Sequence, residues 1–496
     1  MNNKTTLLLA TFVLLINSVL VFGQTPSQTP PPPGAPPTLS IPNVEQTVLE
    51  NGLTIAVIRR PELPLVTASL MIRTGAKDES PRNAGLASFT SDLLTKGTTD
   101  RTASQVAEFT DFLGASLNSY SEWDRSGVTL TVVQDKIGRG LSIMSESVLS
   151  PAFRQSELNL LKKQTLDGFD VSLKEPGSLL RYATDIYTFG RHPEGGSPES
   201  IKAMTRNKIA AFYNEHYRPE RAYLVFTGDI TKEQAFALGK LFFGSWKSGT
   251  DVTKAKSELK LDDVATKMQG TDSVTELFVV DLPKSGQAAV GFSKMIRDGR
   301  TNCTPSCATS DDYYTASVLN SVLGGGYSSR LNQEIRLKRG LSYGAGSGFD
   351  WEPNDVMFTA TAQTKNESAD QVAELMKIEI ERLITQDIGN DELVPRKAVL
   401  SGSYGRSLQS NSGLASQVNS LLFYKLNSAE LNSYINKVNS VSASQIRNFA
   451  GNLTRGNIIV VGDASVFLEG LKKRFPGKKI TVVSAAKLNL NQTGLK

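Results

Sequence analysis

The sequence predicts an α+β protein built from two related domains. Strand-like and helix-like patterns alternate along the chain, a helix–strand–Gly-Asp block occurs twice, and a weakly patterned stretch lies between the two copies. The block runs from Lys208-Ile-Ala-Ala-Phe-Tyr213 to Ala222-Tyr-Leu-Val-Phe-Thr-Gly-Asp229. It recurs from Gln445-Ile-Arg-Asn-Phe-Ala450 to Asn457-Ile-Ile-Val-Val-Gly-Asp463. Each copy closes a predicted domain, 44–250 and 273–486, in which an antiparallel-rich sheet packs with helices. A Lys-, Asp- and Thr-rich linker is predicted over 251–272.

In the first half, Leu53–Ile58, Val66–Ile72 and the β-branched run Gly127–Val133 read as strands. Thr102–Leu113 reads as a helix with Val106, Phe109, Thr110 and Leu113 on one face. In the second half, Leu277–Val280 and Ala288–Phe292 read as strands, and Asp312–Leu323 as a helix. Ser368-Ala-Asp-Gln371 reads as a capping box opening a helix through Leu383. Ser328–Arg339 reads as a helix ended by Gly340, with Tyr343 entering a strand.

Composition bounds the function. With 39% hydrophobic and 21% charged residues, the 496-residue chain is ordinary for a globular protein, and a net charge of +5 makes no case for nucleic acid. Residues 1–23 have the pattern of a secretory signal: Lys4, then a mostly apolar run from Thr6 to Phe22, with a cut expected before Gln24. This predicts export to a periplasmic or extracellular site, with membrane attachment only if the segment stays on. Residues 24–43, with Pro30 to Pro33 consecutive, read as an extended tether, and 487–496 as a tail. Cys303 and Cys307 lack the second pair a zinc ribbon needs. In an exported chain a local disulfide is the simpler reading. The only histidines, His192 and His216, stand in no metal-ligand spacing and read as packed residues. Gly324-Gly325-Gly326 lacks the Gly-Lys-Ser/Thr of a phosphate loop and reads as a close backbone turn.

Several motifs, in order, resemble the pitrilysin/mitochondrial processing peptidase family of zinc peptidases. They are Asn51-Gly-Leu53, Arg73-Thr-Gly-Ala-Lys-Asp-Glu79, Gly85-Leu-Ala87, Lys96-Gly-Thr98, Gly114-Ala-Ser-Leu-Asn118 and His216-Tyr-Arg-Pro219. In the second half they are Leu323-Gly-Gly-Gly-Tyr-Ser-Ser-Arg-Leu331 and Arg339-Gly-Leu-Ser-Tyr343. Between Gly85 and Thr98 the family carries H-x-x-E-H, two zinc-binding histidines and a water-activating glutamate. Here those positions are Ser88, Ser91 and Asp92, and the frame of the third ligand falls at Gly168. Asp167 beside it is turned away by roughly a quarter turn of helix. A serine hydroxyl is a poor zinc donor and Ser91 has no carboxylate to take a proton, so no metal is expected in this chain.

The resemblance implies two pitrilysin-like domains forming half of a clam-shell. It implies a metal-free subunit of a heterodimeric zinc endopeptidase, whose zinc sits in a homologous partner. Arg336 and Tyr343 match the pair thought to hold the substrate backbone and stabilise the oxyanion across the subunit interface. Ser116 and Asn118 fall in the stretch that forms the substrate-binding edge strand, where a peptide or unfolded segment would add. The alternative is a peptide-binding or scaffold protein that uses the same fold without hydrolysis. An autonomous metallopeptidase would need a ligand set that the sequence does not offer.

Overall fold

Runs of β-branched and aliphatic residues build two six-stranded sheets. The computed structural model describes residues 40–249, 273–297, 300, 309–492 and 495. The predicted signal at 1–23, most of the proline-rich linker, the 251–272 linker, and Cys303 and Cys307 lie outside the described residues.

Strands β1 (Glu45–Val48), β2 (Thr54–Arg59), β3 (Leu65–Ile72), β4 (Ser116–Ser121), β5 (Ser126–Val133) and β6 (Ala222–Gly228) form the first sheet, in spatial order β1-β2-β6-β3-β5-β4. Strands β7 (Val274–Asp281), β8 (Ala288–Arg297), β9 (Ala345–Trp351), β10 (Asp355–Thr364), β11 (Gly456–Gly462) and β12 (Lys479–Ser484) form the second, in order β12-β7-β11-β8-β10-β9. Strands β2 to β6 thus correspond one to one with β7 to β11. Only the outer strand differs: β1 pairs antiparallel with β2, whereas β12 pairs parallel with β7.

Helices α1 (Leu86–Leu94) and α2 (Ala103–Leu113) link β3 to β4. Between β5 and β6 come α3 (Ile137–Leu149), α4 (Gln155–Ser172), α5 (Pro176–Ala183) with a π-helical turn at Thr184–Thr188, α6 (Pro198–Lys202) and α7 (Arg206–His216); α8 (Lys232–Phe243) follows β6. In the second half α9 (Thr309–Leu323) and a π-helical turn, Asn332–Leu337, link β8 to β9. Between β10 and β11 run α10 (Ala369–Thr385), α11 (Asn390–Ser407), α12 (Asn411–Phe423), α13 (Glu430–Ser440) and α14 (Ala443–Ala450), and α15 (Ala464–Arg474) precedes β12. No helix among the described residues is long and apolar enough to cross a membrane.

Local signals explain the helix ends. Thr102 and Gln105 form a reciprocal capping box at the start of α2, and Gly114 ends it with φ of 61°. The box expected at Ser368 does not form. A 3₁₀ turn over Asn366–Ser368 enters α10 instead, with no hydrogen bond from the Ser368 side chain.

The domains exchange helices. α5, from the first half, lies across β8 and β11 of the second sheet, and α12, from the second half, lies across β3 and β6 of the first. Leu179, Leu180 and Ala183 therefore share one core with Phe278, Val280, Ala289, Ile459 and Val461. Each such large side chain removed from water contributes about 1.5–3 kcal/mol. Polar pins fix the register. Asn419 Nδ2 donates to Ser69 Oγ at 2.9 Å, Asn411 Nδ2 to the Leu65 carbonyl at 3.0 Å, and Tyr187 Oη to Glu276 at 2.6 Å. The described part of the tail is docked as well: Asn491 bonds Ser197 and Glu199, and Leu490 and Leu495 are buried.

Candidate functional site

Helix α1 carries the three positions singled out in the first half. It begins at Gly85, whose φ of 89° lies in the left-handed region, where a Cβ would also meet the Gly195 carbonyl at 3.1 Å. Glycine has no side chain to cap the helix, and Glu79 supplies the cap from outside. Its carboxylate accepts from the Gly85 N–H at 2.7 Å and the Ala87 N–H at 2.6 Å, with no side-chain exposure. Glu79 closes the Arg73–Glu79 motif, but nothing in the sequence marks it as the cap of α1. His192 Nδ1 lies 3.6 Å from the same carboxylate, and the buried ring packs 5.2 Å from Trp123. His216 ends α7 with its ring 4.5 Å from Phe212.

Ser91 is fully buried and donates to the Tyr120 carbonyl of β4 at 2.7 Å. Ser88 and Asp92 are half-buried, and burial raises the Asp92 carboxyl against the pull of Lys96 and a hydrogen bond from Ser88. Gly168 is exposed on α4, and a Cβ there would meet nothing within 4 Å. Two hydroxyls, one carboxylate and a glycine do not fit zinc, which takes three protein ligands besides water in catalytic sites. One of the hydroxyls is already committed to the backbone. Among the described residues no group of three or more His, Cys, Asp or Glu side chains is arranged to hold a metal ion.

Tyr217 sits fully buried beside this helix, its hydroxyl facing those of Ser91 and Ser126 without a well-formed hydrogen bond among the described residues. Tyr217→Phe removes a desolvated donor that makes only weak contacts to these two hydroxyls, so stability should stay level or rise by about 1 kcal/mol. Urea denaturation midpoints test this, and a clear loss would show that the hydroxyl is engaged.

Among the described residues β4, the outer strand of the first sheet, pairs only with β5, so no strand covers its other edge. Ser116 and Asn118 are exposed on it, and Asn118 Nδ2 donates to Ser116 Oγ at 2.7 Å.

In the second domain the chain around Arg336 departs from the expected regular helix. Asn332–Leu337 is a π-helical turn, a conformation common at functional sites. Gly340 ends it with φ of 63°, and its N–H donates to the Arg336 carbonyl at 2.9 Å. Tyr343 precedes β9 instead of entering it and is 92% exposed. The Arg336 guanidinium lies 4.9 Å from the centre of the Tyr327 ring, and no hydrogen bond joins it to Tyr343. Buried Asn332, which no sequence motif singles out, holds this corner together. It donates to the Gly326 and Ala345 carbonyls at 3.0 and 2.6 Å and accepts from the Ala345 N–H at 3.1 Å. Gly324 lies so close to β9 that a Cβ would come within 2.4 Å of the Ser347 nitrogen, so the tri-glycine is a tight backbone approach.

A buried ion pair joins the domains where the β4–β5 and β9–β10 hairpins meet. Arg191 Nη2 lies 2.5 Å from Glu352 Oε2, each side chain is 11% exposed, and the guanidinium stacks 4.6 Å over Trp123. Carboxyls crowd this region. Burial is the chief cause that lifts Glu194 and Glu352 to about 7 and Asp185 to about 6, and it lifts Glu79, nearby, to about 8 against its amide donors. Their ordinary values are 4.5 for glutamate and 3.8 for aspartate, so the folded protein binds more protons than the unfolded chain between about pH 4 and 8. Their contribution to stability is full at the acid end and is lost as pH rises through the folded values. The buried histidines, both lowered by burial, oppose this only below about 6.5. The melting temperature should therefore fall from pH 6.5 to pH 8, and Glu79→Gln should flatten the slope; calorimetry across that range would overturn the assignment if stability rose.

Comparison with known proteins agrees with the two-domain fold. Residues 54–191 match the family described as insulinase (peptidase family M16), and residues 203–400 match the peptidase M16 inactive domain. A Rickettsia felis protein named uncharacterized zinc protease is 24% identical over 363 residues, 72% of this chain and 82% of its own length. The uncharacterized zinc protease YmxG of Bacillus subtilis is 23% identical over 417 residues, 83% and 95% of the two chains. The crystal structure titled peptidase M16 inactive domain from Pseudomonas fluorescens matches with a TM-score of 0.72 and 24% identity, covering 85% of this chain and 98% of that one. A protease from Helicobacter pylori matches with a TM-score of 0.73 and 18% identity, covering 85% and 100%.

Proposed function

The chain belongs to peptidase family M16, and from that membership we propose that it is a non-metal subunit completing the active site of a zinc-bearing homologue. The observation that carries this reading is an asymmetry between its two halves. The metal helix has Ser88, Ser91 and Asp92, with Ser91 tied to Tyr120, while Tyr343 is exposed, Arg336 is half-buried against Tyr327, and neither side chain has a hydrogen-bond partner among the described residues. Donors left free in this way suit negative charge developing on a substrate that another subunit holds. The edge of β4 that no described strand covers, with Ser116 and Asn118, suits an added peptide strand. The chain itself holds no zinc, the pair closes as two halves of a clam-shell, and the N-terminal segment directs it to the periplasm or outside the cell.

Co-expression with a family member from the same source that retains H-x-x-E-H tests the proposal. The two chains should co-purify and together cleave a quenched peptide that neither cleaves alone. Absence of both association and activity would overturn it and favour the scaffold reading.

A further inference from the structure

Asparagine is a poor residue inside a helix, because its side chain competes for the backbone, so a buried one at the head of a helical turn is there for the bonds it makes. Asn332 opens the π-helical turn that carries Arg336 and is 7% exposed. Its carboxamide bonds two other segments at once: Nδ2 donates to the Gly326 and Ala345 carbonyls, and Oδ1 accepts from the Ala345 N–H. Turning the amide over would set a donor against that N–H and an acceptor against both carbonyls, so the network admits one orientation.

A residue in an antiparallel strand points its N–H and C=O to the same side. Ala345 stands opposite Ala362 of β10 and turns both groups the other way, to Asn332. The carboxamide thus stands in for a neighbouring strand at the first rung of β9. Two residues on, the Ser347 N–H donates to the Gly324 carbonyl at 3.3 Å, so the glycine loop supplies the next rung.

Each of the three joined segments leads into a group of the candidate site. Tyr327, on which the Arg336 guanidinium stacks, follows Gly326. Arg336 lies about one turn beyond Asn332, and Tyr343 stands two residues before Ala345. The mostly exposed chain between Leu337 and Gly344 is held in its middle at Leu341. The Leu341 N–H donates to the Ile335 carbonyl at 2.9 Å, and its carbonyl accepts from Thr364 Oγ1 at 2.6 Å. Its outgoing end, which bears Tyr343, is held at Ala345.

We propose that Asn332 is a positioning residue, whose one carboxamide sets Arg336, the Tyr327 ring beside it and the approach of Tyr343 to β9 in a single arrangement. It touches no substrate and acts through the two donors, which must be held to within a fraction of an ångström to serve one developing charge. The proposal rests on the role given to Arg336 and Tyr343 above.

Asn332→Leu keeps the side-chain volume and removes every one of these bonds. In the isolated chain, hydrogen exchange should speed up roughly tenfold or more at Ala345 and Ser347 and stay level on the β8–β10 ladder. In the reconstituted pair kcat should fall roughly 30-fold with little change in KM, less than for Arg336→Ala because the donors are displaced and not deleted. Added to Arg336→Ala/Tyr343→Phe, Asn332→Leu should cause no further loss, since the groups it acts through are gone. Asn332→Asp gives a second variant. Its neutral carboxyl accepts from the Ala345 N–H and donates to one carbonyl, whereas its carboxylate faces two carbonyl oxygens. Its activity relative to wild type should therefore be roughly tenfold higher at pH 6 than at pH 8, with the variant folded and associated at both.

Unchanged exchange at Ala345, a full further loss in the triple variant, or a pH-independent ratio for Asn332→Asp would each overturn the proposal. A wild-type pair without activity would remove the subunit role, and exchange in the isolated chain would still decide whether Asn332 fixes this corner. An active pair that keeps full turnover with Asn332→Leu would leave the subunit role standing and remove Asn332 from it.

Discussion

Arg336→Ala in the reconstituted pair is expected to lower kcat/KM by roughly 100-fold or more, the usual cost of losing one donor to a developing oxyanion. The structure makes this a clean substitution. The guanidinium packs on the exposed Tyr327 ring, its side chain makes no hydrogen bond among the described residues, and the turn is held by Asn332 and Gly340 through the backbone. Folding and association should therefore persist. Arg336→Lys should recover little, because an ammonium point charge does not reproduce the planar fork. Tyr343→Phe removes a donor that is 92% exposed and touches no other described group by hydrogen bond, so its effect should also fall on turnover and leave stability unchanged. Full activity in the double variant would show that the pair is surface decoration.

Arg191→Met should be the most destabilising single change, at about 3–5 kcal/mol near pH 8, because it strands a buried carboxylate. Glu352 would be left among Asp124 and Asp350, with Oε1 already unpartnered. Its carboxyl is raised to about 7 even with Arg191 in place, and losing the guanidinium raises it further. At pH 6 the variant therefore takes up a proton at Glu352 and the penalty shrinks. Adding Glu352→Leu should restore most of the loss, since an apolar pair of similar volume serves as well as a buried ion pair. Chemical denaturation of the three variants at both pH values decides the matter: an equal loss at pH 6 and pH 8 would remove Glu352 from the explanation.

The central strands were readable because β-branched runs such as Gly127–Val133 and Ile458–Val461 have few alternatives to a buried strand. β1 and β12 were not, being short and half polar. The exchange of α5 and α12 leaves no trace in either helix, since an apolar face does not say which sheet it will cover. At Arg336 the apolar spacing of Leu331 and Ile335 predicted a regular helix over Ser328–Arg339, whereas a π-helical turn, which has no local signature, occupies Asn332–Leu337, and β9 begins two residues after Tyr343. The positions Ser88, Ser91 and Asp92 were found through their surroundings. Glu79 as cap, Asn332 as clasp and the Asp185, Glu194, Asp350 and Glu352 group were not. Each depends on chain segments that only the folded topology brings together.

The crossed placement of α5 and α12 has the form of a swapped dimer whose two chains have been joined end to end. Each half wears part of the other's lining, so neither can be cut out without laying bare a greasy sheet face. A fragment ending at the inter-domain linker would be missing α12 and would bring α5 with nothing to sit on. The protein is in this sense a single object assembled from two look-alike pieces.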